Sequence, residues 1–466
     1  MQTQDRSRIL GTMPMGQLVR KISVPIMFSM MIQALYNVVD SIFVSRFDPN
    51  GLTAVSLAAP FQMLMIALST GMGTGINSLV SRKLGEKDPA SARRASWNGL
   101  LIEVCGSLLF VIIGLLLTRP IMGLIVSDNL QNPESITAMG VDYLSIVTIF
   151  SLGLFMAVYT ERLLQATGNS VLSMITQLIG AVTNIALDPL LIFGIPGFIP
   201  SMGVAGAAIA TVVGQFMSAI VGFVINQRKN KELQLKLPEF RVSGSDIKGI
   251  MTVGVPSTIM ASIGSVMNVG MNAILSGFAE SNAALNVMSV YFKLQSFIFM
   301  PVFGLSNGII AIIAYNYGAR NRKRVYSCLK VALCWACTIM LIGTLIFMIF
   351  PGELMSIFES EAEAEITAQM TSIGVVAMRI IAANFLFAAV GITLSTVFQA
   401  VGKGTFSMIV SICRQLAILL PVAWLIAKLT GNVYAVWWCF PVAEFAALIL
   451  SLLFYRKCNR ELLSKL

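Results

Sequence analysis

The chain has 466 residues, of which 56% are hydrophobic and only 12% charged, with a net charge of +10; soluble domains run at about 45–50% and about 25%. Soluble cores cannot bury so much apolar surface, so the chain is read as an integral membrane protein. It contains no histidine, which excludes His-ligated metals and Ser–His–acid machinery and leaves proton handling to carboxylates.

Residues 1–21 are polar and carry Arg8, Arg20 and Lys21, and no cleavable signal peptide is evident. A hydrocarbon core about 30 Å thick needs ~20 apolar residues per helix. Twelve runs meet that requirement: 22–45, 54–80, 97–118, 140–163, 171–194, 203–226, 250–276, 285–314, 326–350, 367–397, 405–427 and 433–455. Cys334 and Cys337 form a CxxC-like pair inside the ninth run, where redox or metal work is not expected. Loops after even-numbered runs hold basic clusters such as Arg82/Lys83/Lys87/Arg93/Arg94, Arg228 to Lys248 and Arg320/Arg322/Lys323/Arg324. Asp128, Glu134, Glu280 and the acidic run Glu359–Glu365 lie on the opposite side. The positive-inside rule then puts both termini in the cytoplasm. The positive charge follows loop parity instead of forming one patch, so no nucleic-acid partner is expected.

The sequence repeats itself. ERLLQATGNSVLSMI (Glu161 to Ile175) resembles STVFQAVGKGTFSMI (Ser395 to Ile409), with Gln165 and Gln399 separated by 234 residues. LGEKDPASAR around Gly85 resembles YGARNRKRV around Gly318, 233 residues on; Pro25 and Pro256, like Asn37 and Asn268, are 231 apart. This spacing predicts an all-α membrane protein of twelve helices in two six-helix lobes, related by an axis along the membrane normal. The predicted domains are an N-lobe over 1–226, a cytoplasmic linker over 227–249 and a C-lobe over 250–466. Parallel repeats of this kind surround a central cavity and rock to give alternating access, which is a transporter's architecture.

The halves differ in their acids. Asp40 falls opposite Met271, and Asp188 opposite Val422. Asp40 lies 18 residues into the first run and Asp188 17 into the fifth, each roughly 25 Å from the cytoplasmic end. Asn37 shares the face of Asp40, and Asn184 that of Asp188; Thr211 in the sixth run reaches a comparable depth. Two carboxylates, two amides and a hydroxyl are thus expected to converge in the outer half of the first lobe. One carboxylate at a helix centre costs about 2.5–3.5 kcal/mol, and two neighbours resist simultaneous ionisation, so the group suits a proton or Na⁺. The alternative for either Asp is hydrogen bonding between helices. Glu161, beside Arg162, is open to reading as a gate residue or a snorkelling pair. Arg414 is nine residues into the eleventh run, placed to reach a cavity or to tie its lobe together. Lys293 and Arg379 also fall within second-half runs, and Glu103 and Glu444 are read as interfacial or hydrogen-bonded within the lobes.

With these residues in view the chain resembles the multidrug and toxic compound extrusion (MATE) family over nearly its whole length. The resemblance rests on YNVVDSIFVS (Tyr36 to Ser45), QATGNS with NIALDPLLIFG (Asn184 to Gly194), GVAGAAIAT (Gly203 to Thr211), FIFMPVFGLSNGIIAIIAYNYGA (Phe297 to Ala319) and QAVGKG (Gln399 to Gly404). It implies secondary-active export of organic cations and drugs in exchange for H⁺ or Na⁺, with no cofactor. It implies an acidic N-lobe in which Asp40, Asp188, Asn184 and Thr211 couple to the ion, Na⁺ included, joined here by Asn37. Another branch of the family relies on acids in the seventh and tenth spans; this chain offers Met271, Asn272 and Arg379 there. Glu161, Asp188 and Tyr36 are the candidate substrate contacts. The expected partners are small organic cations and membrane lipid, and the expected working unit is a monomer in the inner membrane. A lipid-linked saccharide flippase of the same superfamily is the competing reading, although it calls for a basic cavity and often extra spans. An enzyme is disfavoured without His or an HExxH motif, as is an ATP-driven pump without a GxxxxGK[ST] loop.

Overall fold

The computed structural model describes residues 7–126, 132–236, 240–357 and 364–466. Asp128 and the acidic stretch 359–363 lie outside the described residues, as do the side chains of Asn37 and Glu365. The first half runs through α1 (Arg8–Thr12), α2 (Met15–Phe47), α3 (Pro49–Gly85), α4 (Pro89–Leu116), α5 (Thr118–Ile125), α6 (Pro133–Ile149), α7 (Leu152–Ala166), α8 (Ser170–Ile192) and α9 (Gly203–Lys229). The second half follows the same order with α10 (Gly244–Leu275), α11 (Ser281–Gly318), α12 (Arg322–Ile349), α13 (Pro351–Ser356), α14 (Ala364–Ala382), α15 (Phe385–Ala400), α16 (Gly404–Ile412), α17 (Leu419–Thr430), α18 (Val433–Val436) and α19 (Cys439–Glu461). A π-helical turn, Cys413–Ile418, joins α16 to α17.

Among the described residues ten helical stretches are long and apolar enough to cross a membrane, and two bent pairs bring the number to twelve. The bent pairs are α6 with α7, at 45°, and α14 with α15, at 49°. The runs 140–163 and 367–397, expected as single helices, are therefore each broken near the middle. No proline causes either bend. At the first, Ser151 Oγ donates to the Ser107 carbonyl at 3.3 Å and lies 3.2 Å from the Ser107 hydroxyl, which ties the break to α4.

The duplication reaches the backbone torsions. Lys87 and Arg320 both take a left-handed conformation, with φ of 59° and 53°. The next residue then caps the following helix: Asp88 accepts the Ser91 N–H at 3.0 Å, and Asn321 accepts the Arg324 N–H at 3.3 Å. Hydrogen bonds from the Ser91 hydroxyl and N–H hold the Asp88 carboxyl below its ordinary range. The glycines of the two QAxG motifs, Gly168 and Gly402, have φ of 75° and 82°, a turn that favours glycine.

Four glycines let the halves approach. A side chain at Gly71 or Gly75 would overlap the α10 backbone, at Thr258 and at Ile250. One at Gly304 or Gly308 would meet the α2 backbone, 2.5 Å from Met27 Cα and 3.0 Å from Ser23 Cα. Gly71 and Gly304 are equivalent positions 233 residues apart, and so are Gly75 and Gly308. A duplicated small-xxx-small ridge in each half therefore packs on the first long helix of the other, the arrangement that carries helix association where water supplies no driving force. Where α3 and α11 end, Gly85 lies against the Tyr315 carbonyl and Gly318 against the Arg82 carbonyl, one contact made twice about a pseudo-two-fold axis. GLSNG (Gly304 to Gly308) has the spacing of a GxSxG nucleophile elbow, but it lies within a helix instead of a strand–turn–helix, and its glycines serve this interface.

All of these approaches lie in the half of the bundle next to the termini. There Ser78 Oγ donates to the Gln399 carbonyl at 2.8 Å. Arg324 donates to the carbonyls of Leu10 (3.1 Å) and Met13 (2.8 Å), and Arg322 reaches the Ser464 carbonyl at 3.4 Å. Gly308→Val is expected to lower the melting temperature in detergent by several degrees, because even its Cβ would lie 3.0 Å from Ser23 Cα. An unchanged melting temperature would contradict this close approach.

Candidate functional site

Asp40 lies seven residues before the end of α2, and Asp188 four before the end of α8, which puts both within ~10 Å of the bundle end remote from the termini. Asp188 is fully buried, and Asn184 is 3% exposed. One turn apart on α8, they share a face, and Asn184 Nδ2 donates to Asp188 Oδ1 at 3.3 Å. The same amide donates to Thr211 Oγ1 on α9, also at 3.3 Å. Proline at 189 has no N–H, so the Ile185 carbonyl one turn earlier lacks its helical donor beside this group.

The two carboxylates are close enough to act on each other electrostatically, and both act on the phenols of Tyr36 and Tyr143. Gln33 hydrogen-bonds Tyr36, and Tyr143 donates to Gln62 Oε1 at 3.2 Å. Five helices, α2, α3, α6, α8 and α9, thus converge on one polar spot. The spot is short of donors. Asp40 Oδ1, Asp188 Oδ2 and Asn184 Oδ1 are buried without a hydrogen-bond partner, and among the described residues neither carboxylate has an ion-pair partner. Three orphaned oxygens around two acids form a donor set that a proton or a hard monovalent cation would satisfy. The described residues hold no cluster of three or more His, Cys, Asp or Glu suited to a metal ion.

Of the residues singled out from the sequence, Asp40, Asp188, Asn184, Thr211 and Tyr36 come together here. The side chain of Asn37 lies outside the described residues, though its position on α2 is one turn before Asp40. Glu161 is elsewhere. It lies five residues from the terminal-end tip of α7 and Asp188 eighteen from that of α8, a separation of roughly 20 Å along the axes. Gln165 Nε2 donates to Glu161 Oε1 at 2.6 Å, and Arg162 Nη1 to Gln165 Oε1 at 2.9 Å. Arg162 is only 5% exposed, so the pair does not snorkel; it belongs to a buried polar layer. Glu103, also fully buried, takes a hydrogen bond from Ser69 Oγ at 3.2 Å and feels the charge of Arg162. Tyr143 and Gln62 escaped the sequence reading. Their only signal is polarity inside apolar runs, and their convergence on Asp40 depends on how α3 and α6 pack.

A duplicated bundle of twelve spans with an uncompensated acidic pocket in one half has the architecture of a membrane transporter. The MatE family model matches residues 25–190 and 256–425, so the chain belongs to the MATE family, whose members are transporters and not enzymes. The chain is 23% identical over 444 residues to the multidrug export protein MepA of Staphylococcus haemolyticus, spanning 95% of this chain and 94% of that one. It is 24% identical over 445 residues, with the same coverage, to MepA of Staphylococcus aureus strain NCTC 8325. Among solved structures it resembles an outward-facing multidrug resistance MATE family transporter (TM-score 0.89, 24% identity) and MATE in complex with MaL6 (TM-score 0.90, 23% identity), each over 100% of both chains. These likenesses establish the fold of two lobes.

Burying an unpaired carboxylate is unfavourable, whereas an amide of the same shape is tolerated better. Asp40→Asn and Asp188→Asn are therefore expected to leave the melting temperature in detergent unchanged or raised. A fall of several degrees in either would mean that the acids are paired for structure.

Proposed function

We propose that this chain exports organic, mostly cationic, compounds across the membrane in exchange for H⁺ or Na⁺, by rocking of its two lobes. The observation that carries the reading is the pair of acids, Asp40 and Asp188, with their orphaned oxygens in the half of the bundle away from the inter-lobe glycine contacts. The names of the MepA relatives support drugs as the cargo. The ion is held by Asp40, Asp188, Asn184 and Thr211, with Asn37 beside them and Tyr36 as a flanking substrate contact. Glu161, at another level, modulates passage without sharing that site. Residues 1–226 and 250–466 act as the lobes and 227–249 as the linker. The basic loops support an inner-membrane protein with cytoplasmic termini. In that orientation the lobes are closed toward the cytoplasm and the acidic pocket faces outward. A monomer suffices, since each lobe supplies half of the pathway.

The chemistry follows from charge. With both acids ionised, closing the outer half against low dielectric is opposed by desolvation and by repulsion between them. A bound cation halves that charge and relieves the repulsion between the acids, which shifts the population toward the state open to the cytoplasm. A cationic drug entering there competes for the same negative potential, so its binding and the ion's oppose each other. An acidic pocket of this kind favours drug cations over the anionic head of a lipid-linked saccharide.

Efflux of cationic dyes from proteoliposomes under separately imposed Na⁺ and pH gradients tests this and distinguishes the two ions. Asp40→Asn and Asp188→Asn are expected to abolish gradient-driven efflux at normal expression. Full transport by well-inserted variants would sink the coupling assignment. Glu161→Gln is expected to give a milder, substrate-dependent loss, and an equal loss for every dye would make Glu161 structural.

A further inference from the structure

The second lobe has dropped both acids but carries a charge pair of its own. Arg414 Nη1 lies 3.2 Å from Glu444 Oε1, joining the π-helical turn between α16 and α17 to α19. Arg414 is ten residues past the start of α16 and Glu444 twelve before Arg456 in α19, so each is ~15–18 Å from the terminal end, near the middle of a bilayer. Their side chains are 22% and 17% exposed. A guanidinium and a carboxylate that keep accessible surface at this depth face water inside the bundle, because hydrocarbon would leave their polar atoms unsolvated. On the closed side Tyr291 is 2% exposed and in electrostatic contact with both charges, its ring 5.9 Å from that of Phe440.

Two features distinguish this pair from a structural tie. The contact is single: one Nη1 meets one carboxylate oxygen, and the two-pronged edge that guanidinium offers to carboxylates is not engaged. The backbone under Arg414 is a π turn, Cys413–Ile418, a distortion that recurs at functional sites.

We propose that Arg414, held by Glu444, is a substrate contact in the second lobe that admits molecules carrying a carboxylate beside a cationic centre. The inference rests on the multidrug-export reading and adds a substrate class to it. The ligand's carboxylate displaces Glu444 and takes the two-pronged edge of the guanidinium, while its cationic end meets the freed Glu444 carboxylate. A permanent cation has no group for Arg414 and relies on the acidic first lobe.

The test uses the purified full-length protein in nanodiscs and two probes with one aromatic body, a rhodamine with a free carboxylate and its ethyl ester, read by fluorescence anisotropy. Arg414→Gln is expected to weaken the carboxylate probe roughly tenfold and leave the ester within about twofold. Glu444→Gln, which removes the internal competitor, is expected to tighten the carboxylate probe relative to the ester. Parallel losses for both probes in Arg414→Gln, or an unchanged probe ratio in Glu444→Gln, would overturn the proposal; the second variant decides the matter if the first does not fold. Wild-type protein that binds neither probe would overturn the export reading and this inference with it. Wild-type binding of the ester with no effect of position 414 on the carboxylate probe would remove this inference alone.

Discussion

A carboxylate buried inside a membrane bundle is costly unless paired, and the first lobe brings two together that, among the described residues, have no ion-pair partner. The neighbouring donors do not cancel that charge. Asn184 gives one amide edge to Asp188 and Thr211, Tyr143 turns its hydroxyl to Gln62, and three oxygens remain without partners. A structure meant only to be stable would have filled this space with apolar side chains. The deficit is what the proposed proton or cation would make good.

The second lobe shows what the deficit is measured against. Duplication kept the turn torsions at Lys87 and Arg320, the bend in the fourth span of each half and the glycine ridge that joins the lobes. Those features govern how two like bodies pack and, on the proposed mechanism, how they pivot. At the positions of the acids it kept apolar residues, Met271 and Val422, and its core is a ladder of rings, Tyr291, Phe347, Phe385 and Phe299, with centroids 5.4–6.4 Å apart. On the function proposed above, one lobe holds the cation, and the other carries a charge pair, Arg414 and Glu444, at different positions. Ridges built from glycine suit such a pivot, because they bring backbones into contact without interlocked side chains that would have to unpack.

The sequence revealed what depends on local spacing. An Asn one turn before an Asp on an apolar helix puts Asn184 and Asp188 on one face, and counting residues from the span ends predicts that Thr211 reaches the same level. The repeat and the number of spans followed from composition and offsets. Other features depend on packing between distant segments and were not legible. The bends at 150–151 and 383–384 have no proline to announce them, and the first is held by Ser107 on another helix. Arg162 reads as a snorkelling side chain because it lies near a span end, yet the neighbouring helices seal it into a polar layer. The π turn at Cys413–Ile418 leaves no mark in composition.

The central claim is that the acidic pocket and the drug compete through charge, and calorimetry of drug binding to the purified protein measures that competition without any membrane gradient. Titrations of a cationic drug in buffers of different ionisation enthalpy, with and without Na⁺, should reveal release of a proton or Na⁺ on binding to the native protein, and no release when Asp40 and Asp188 are both replaced by Asn. Drug binding that neither releases an ion nor responds to loss of the two acids would contradict the account.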